Sequence, residues 1–131
     1  MAIERPDNPR CLIPEERLRN RVRELGKEIE EHYQGKEPFT AICVLKGSFV
    51  FFSDLIRNID LPLSCDFLGV TSYNSRPKQS GEVKITLDLA SSVAGKHVLI
   101  VEDVIDSGTT LQYLMRKDRK STRLNSSHVK R

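Results

Sequence analysis

Glu102, Asp103 and Asp106 place three carboxylates within five positions of this chain, and Ser107, Gly108, Thr109 and Thr110 follow at once. The acids come directly after the apolar run Val98-Leu99-Ile100-Val101, so they stand where a buried strand opens into a loop. Like charges this close repel one another unless a divalent cation or a hydroxyl-rich group such as a ribose diol lies between them. The turn behind them has the complementary chemistry. Gly108 permits a tight turn, a helix beginning near Thr109 offers free N–H groups and the positive end of its dipole, and the hydroxyls of Ser107, Thr109 and Thr110 donate to phosphate oxygens. The plainer alternatives are a helix cap with polar neighbours and a solvent-facing acidic cluster. Apolar residues on both sides of the acids, Val98 to Val101 and then Val104-Ile105, weigh against the second.

The elements that must hold this loop can be read from periodicity. Leu18, Val22, Leu25 and Ile29 recur at spacings of four, three and four, which predicts an amphipathic helix over residues 14–32 with Pro14 in its first turn. Residues 40–44 form a short apolar run, expected of a strand covered on both faces, and it ends in Leu45-Lys46-Gly47-Ser48. Ser48 is placed to cap a second helix over residues 49–58. Residues 63–70 read as a strand, 72–81 as a long mobile loop, 82–87 as a half-exposed strand, and 97–101 as a second buried strand. Strands alternating with helices give an α/β fold with a largely parallel sheet, whose ligands bind beyond the carboxyl ends of the strands.

Length and composition narrow the classes. At 131 residues the chain has room for one domain, and 38% apolar against 30% charged residues is enough to build a core. No apolar run is long enough to cross a bilayer and no secretory leader is visible, so the expectation is a soluble, cytoplasmic protein with no membrane partner. Cys11, Cys43 and Cys65 are odd in number and widely spaced, which argues against a disulfide framework or a zinc site. The formal charge of +3 suggests nucleic acid until it is located. Residues 118–131 carry five Lys or Arg and one acid, leaving sixteen basic and seventeen acidic groups on the rest; the body is nearly neutral and no nucleic-acid partner is expected.

Residues 12–114 resemble the bacterial-type hypoxanthine phosphoribosyltransferases of the type I phosphoribosyltransferase family. Four segments carry the resemblance in the family's order: Val44-Leu45-Lys46-Gly47-Ser48-Phe49-Val50-Phe51, Asp66-Phe67, Ser72-Tyr73, and Val98 through Gly108. The resemblance implies a type I phosphoribosyltransferase fold and purine salvage. The phosphoribosyl group of phosphoribosyl pyrophosphate passes to hypoxanthine, or guanine, giving IMP or GMP and pyrophosphate, with Mg²⁺ as cofactor. By the same resemblance Glu102 and Asp103 lie by the ribose hydroxyls and the metal, and Asp106 is the general base near the purine. Ser107, Gly108, Thr109 and Thr110 hold the 5′-phosphate. Lys46 and Gly47 contact pyrophosphate and include a non-proline cis peptide, and Ser72 and Tyr73 belong to a loop that closes over the site. A homodimer or homotetramer is implied for the full-length protein.

The chain departs from the family after the phosphate-loop helix, where the family's base-reading lysine, stacking aromatic and further metal-holding acid have no counterpart. Residues 118–131 resemble instead the translation of a sequencing-library adapter. The expectation is an N-terminal part of a phosphoribosyltransferase domain over residues 1–117, incomplete at the C-terminus, and a disordered, non-native tail over 118–131. A missing outer strand would leave the strand at 97–101 as an apolar, unpaired edge, with poor solubility and impaired activity. The rival readings are a phosphoribosyltransferase for another base and an RNA-binding attenuator on the same fold.

Overall fold

The computed structural model describes residues 9–72, 83–104, 108–119 and 125–130. Helix α1 (Glu15–Tyr33) starts after the extended residue Pro14, with Glu15 and Glu16 in the first turn where the helix dipole favours acids. It stops at Gln34, and Gly35 turns the chain with φ of 80°. Only its second half is docked. Gly26, Ile29 and Tyr33 are buried, whereas Leu18 is exposed. A methyl group at Gly26 would collide with the backbone carbonyl of Asn58, and Glu30 Oε1 accepts the N–H of Asp60 at 2.6 Å, so α1 lies on the segment that follows the second helix.

Strand β1 (Phe39–Leu45) is buried along almost its whole length, as its apolar run requires. Helix α2 (Phe49–Ile56) ends two residues earlier than the spacing suggests. Strands β2 (Leu63–Ser72), β3 (Val83–Leu87) and β4 (His97–Glu102), helix α3 (Thr109–Arg119) and strand β5 (Asn125–Lys130) complete the described elements. The sheet order is β3-β2-β1-β4-β5. β1 runs parallel to β2 and to β4, with Ala41 opposite both Cys65 and Leu99, and β4 runs parallel to β5. Only β3 is antiparallel, joined to β2 across an irregularity at Gly69 and Val70. Gly69 has no room for a side chain there, since a Cβ would stand 2.5 Å from Thr86 Oγ1 and 3.0 Å from the Leu87 backbone nitrogen.

Alternation along the central strands builds two apolar layers. Ala41, Cys43, Leu99 and Val101 face α1 and α2, where they meet Ile29, Tyr33, Phe51, Phe52 and Leu55. Ile42, Val44, Val98 and Ile100 face the other way, toward Leu68, Val93 and Leu114 of α3. Each fully buried Leu, Ile or Phe contributes roughly 1.5–3 kcal/mol relative to exposure. Tyr33 stacks on Phe39 at 4.3 Å between centroids and donates its hydroxyl to the Val98 carbonyl at 2.9 Å, which satisfies the one polar atom it takes into the core. On the opposite layer the buried carboxylate of Asp66 accepts the N–H groups of Phe67, Ala90 and Ser91 at 2.8–3.3 Å. It thereby clips the chain leaving β3 onto the sheet.

The C-terminal expectation needs correction. Residues 118 and 119 extend α3, and Asn125–Lys130 pair in parallel with β4, from His97 opposite Asn125 to Glu102 opposite Lys130. The expected disorder does not hold for these residues, and the far edge of β4 is paired. The physical reason is the cost of leaving such an edge bare. A buried strand with open N–H and C=O groups takes up the next extended segment that follows a helix.

Candidate active site

β1 and β4 are neighbours and parallel, so the turns that leave them emerge side by side at one end of the sheet. From β1 come Lys46 and Gly47, both exposed, and then Ser48, which is fully buried. Ser48 does not cap α2 through its side chain, contrary to the expectation. Its hydroxyl donates to the Val44 carbonyl at 2.5 Å and stands 3.3 Å from the Val101 carbonyl of β4 and 3.5 Å from Cys43 Sγ. One hydroxyl thus ties the ends of both strands together. Burial pushes the Cys43 thiol above its ordinary value, and the contact with Ser48 opposes that rise. The non-proline cis peptide lies at Leu45-Lys46, one bond before the expected Lys46-Gly47.

From β4 come Glu102 and Asp103. Glu102 Oε1 accepts the hydroxyl of buried Thr110 at 3.3 Å, which ties the strand end to the first turn of α3. Asp103 Oδ1 accepts the Val104 N–H at 2.9 Å. Gly108 has φ of 69°, a left-handed value that favours glycine, and its carbonyl accepts the Gln112 N–H at 3.0 Å as α3 begins. The two turns touch. The Asp103 carboxylate packs against Gly47, and a Cβ on Gly47 would stand 2.8 Å from Asp103 Cγ.

The structure therefore brings Lys46, Gly47, Glu102, Asp103, Gly108, Thr109 and Thr110 to one end of the sheet, and Ser72 ends the neighbouring strand β2. Tyr73, Asp106 and Ser107 lie outside the described residues, as does most of the expected closing loop. Ser48 was missed as a site residue; its one sequence signal is a small hydroxyl set between apolar residues where a solvated loop would be expected. Among the described residues no cluster of three or more His, Cys, Asp or Glu is built to hold an ion. Two adjacent carboxylates suit Mg²⁺ well, because it binds through one or two carboxylates and takes its other ligands from water and substrate phosphates.

Fold and site define an α/β protein with a mainly parallel sheet and a strand-end cradle made of one basic, glycine-containing turn and one acidic turn. Residues 14–120 match the model of the phosphoribosyl transferase domain family, and the chain belongs to that family. It is 50% identical over 109 residues to the hypoxanthine-guanine phosphoribosyltransferase of Bacillus subtilis, a match covering 83% of this chain and 60% of that protein. It is 48% identical over 109 residues to the bifunctional protein TilS/HprT of Listeria innocua, of which it covers 17%. The crystal structure of a hypoxanthine phosphoribosyltransferase from Staphylococcus aureus superposes with a TM-score of 0.78 at 41% identity, covering 91% of this chain and 64% of that one. The chain thus spans less than two thirds of the length of these relatives.

Proposed function

We propose that the chain carries the phosphoribosyl-donor half of a purine-salvage enzyme. The enzyme transfers the phosphoribosyl group of phosphoribosyl pyrophosphate to hypoxanthine, or guanine, and releases pyrophosphate. The observation that carries the reading is the packing of the Asp103 carboxylate against Gly47, where the turns leaving β1 and β4 meet at one strand end. In this reading Lys46 and the N–H groups of its turn hold the pyrophosphate. Glu102 and Asp103 hold the ribose diol, and the Gly108 turn, with Ser107, Thr109 and Thr110, holds the 5′-phosphate at the start of α3. When bound by Glu102 and Asp103, Mg²⁺ would neutralise the leaving group. The bond from C1 of the ribose to pyrophosphate breaks as the bond to the purine nitrogen forms, and Asp106 takes the purine proton. General-base assistance of this kind contributes about 10²- to 10⁴-fold. Ser72 and Tyr73 close over the donor and exclude competing water.

Among the described residues no helix is long and apolar enough to cross a membrane, and all three cysteines are free. These support a cytoplasmic enzyme, which we take to form a homodimer or homotetramer when full length, with IMP biosynthesis as its role. We assign residues 1–117 to the phosphoribosyltransferase domain and 118–131 to a non-native segment; sequencing genomic DNA through codon 118 tests this, and uninterrupted native coding would refute it. The functional test is calorimetry with phosphoribosyl pyrophosphate and Mg²⁺, followed by product assays with radiolabelled hypoxanthine, guanine, xanthine and uracil. The donor binds wild-type chain and is lost in the double variant Glu102→Ala, Asp103→Ala. Equal binding by both proteins overturns the reading.

A further inference from the structure

β4 is flanked by two very different strands. On one side β1, buried along almost its whole length, sets Thr40, Ala41, Ile42 and Cys43 opposite the apolar run Val98-Leu99-Ile100-Val101. On the other side the register sets Ser126, Ser127 and His128 opposite Val98, Leu99 and Ile100, and Val129 is the one apolar residue of β5. β4 itself contributes to both apolar layers, Leu99 and Val101 to one and Val98 and Ile100 to the other. Parallel strands in such a setting carry continuous apolar runs, and β5 does not. It also lies beyond residues 14–120, where the family match ends. Main-chain pairing makes few demands on side chains, so an edge of this kind takes up extended segments by strand addition, and side-chain burial then sets the preference among them.

We infer that the β4 edge is a strand-docking site which β5 fills as an exchangeable plug, and that its preferred occupant is a parallel apolar strand supplied by another polypeptide. The register defines that occupant: four successive apolar residues opposite Val98, Leu99, Ile100 and Val101, followed by a basic residue opposite Glu102, the position Lys130 takes in β5. Each apolar side chain buried there in place of a polar one strengthens docking by roughly tenfold or more. The tether of β5 opposes exchange. Residues 120–124 alone connect it to α3, which keeps it near the edge at an effective concentration of about millimolar. Docking at this edge does not rest on the phosphoribosyl-transfer reading.

The test is fluorescence anisotropy with two labelled peptides. One is β5 with its two serines and histidine replaced by Val, Val and Ile and two lysines added at the N-terminus for solubility; the other keeps the β5 sequence behind the same lysines. Three whole chains are titrated: wild type, the double variant Ser127→Pro, His128→Pro, and the triple variant Ser126→Val, Ser127→Val, His128→Ile. Successive N–H groups of a strand point to opposite sides, so the paired prolines remove one that faces β4 and loosen the plug. The triple variant carries the preferred strand in its own tail. Wild-type chain is expected to bind the apolar peptide at least about tenfold more tightly than the β5 peptide. The proline variant gains at least about a further tenfold, and the triple variant binds neither peptide. Equal affinity for the two peptides overturns the preference, and equal binding of the apolar peptide by all three chains shows adsorption elsewhere and overturns the site. A wild-type dimer that becomes monomeric in the proline variant with no gain in peptide binding gives the edge to a second copy, and also overturns the inference. Should the proline variant fail to fold, wild type against the triple variant decides alone, and equal binding by those two overturns it.

Discussion

The turns that leave β1 and β4 reach the same place by different means. The β1 turn is anchored from inside the protein. Ser48 is fully buried, and its hydroxyl holds the next-to-last carbonyls of two strands. The β4 turn is fastened nearer the surface by side chains that can let go: Glu102 on Thr110, and Asp103 on the N–H of its own neighbour. The difference assigns the N–H donors to a rigid wall and the carboxylates to an adjustable one. The proposed binding of a phosphoribosyl donor would use both, since donors preorganised for an anion cost no reordering while the acids would have to change partners.

Breaking the inner anchor has the largest expected effect on stability. Ser48→Ala leaves the Val44 and Val101 carbonyls without their shared donor and costs about 1–3 kcal/mol in urea unfolding. The outer fastening is worth less: Thr110→Val removes one hydrogen bond to Glu102 and costs about 0.5–1.5 kcal/mol. If the two variants cost the same, the division into rigid and adjustable walls fails. Gly47→Ala sharpens the comparison further, because the added methyl meets the end of an exposed side chain that can swing away. Its stability cost stays within about 0.5 kcal/mol in the same urea assay, as for other surface changes, although the paired arrangement of the two turns is lost.

The smallest effect is a pH dependence. Burial raises the Cys43 thiol above its ordinary value near 9.0, so the folded chain keeps a proton that the unfolded chain gives up. That contribution is complete below the unfolded thiol's pKa and is lost as pH rises through the folded value. Melting temperature should therefore decline on the alkaline side of pH 9.0. Cys65 is shifted in the same direction, chiefly by burial. Cys43→Ala should show a shallower alkaline decline than wild type, and an unchanged slope would remove Cys43 from the account.

Much of this arrangement was legible in the amino-acid order. Strand and helix periods are local, so α1, β1, β2, β4 and the start of α3 were readable from runs and spacings of a few residues. The acids at 102 and 103 and the glycine at 108 announced themselves by residue type. The role of Ser48 did not, because its partner Val101 lies 53 residues away and meets it only when β1 and β4 pair. Local signals favoured a helix cap for the same hydroxyl. Asp66 was likewise visible only as part of a resemblance; two of the three amides it holds are 24 and 25 residues distant. The pairing of residues 125–130 with β4 was not legible for a related reason, since it depends on an edge that only the assembled sheet presents.

By itself the sequence determined the kinds of element and the chemical character of each turn, because backbone propensity and side-chain chemistry act over a few neighbouring residues. Tertiary structure alone decided that the basic turn and the acidic turn are in contact, and that Asp103 rests on Gly47. Such contacts are set by parallel pairing between distant strands, where register and burial choose the partners and residue order along the chain does not.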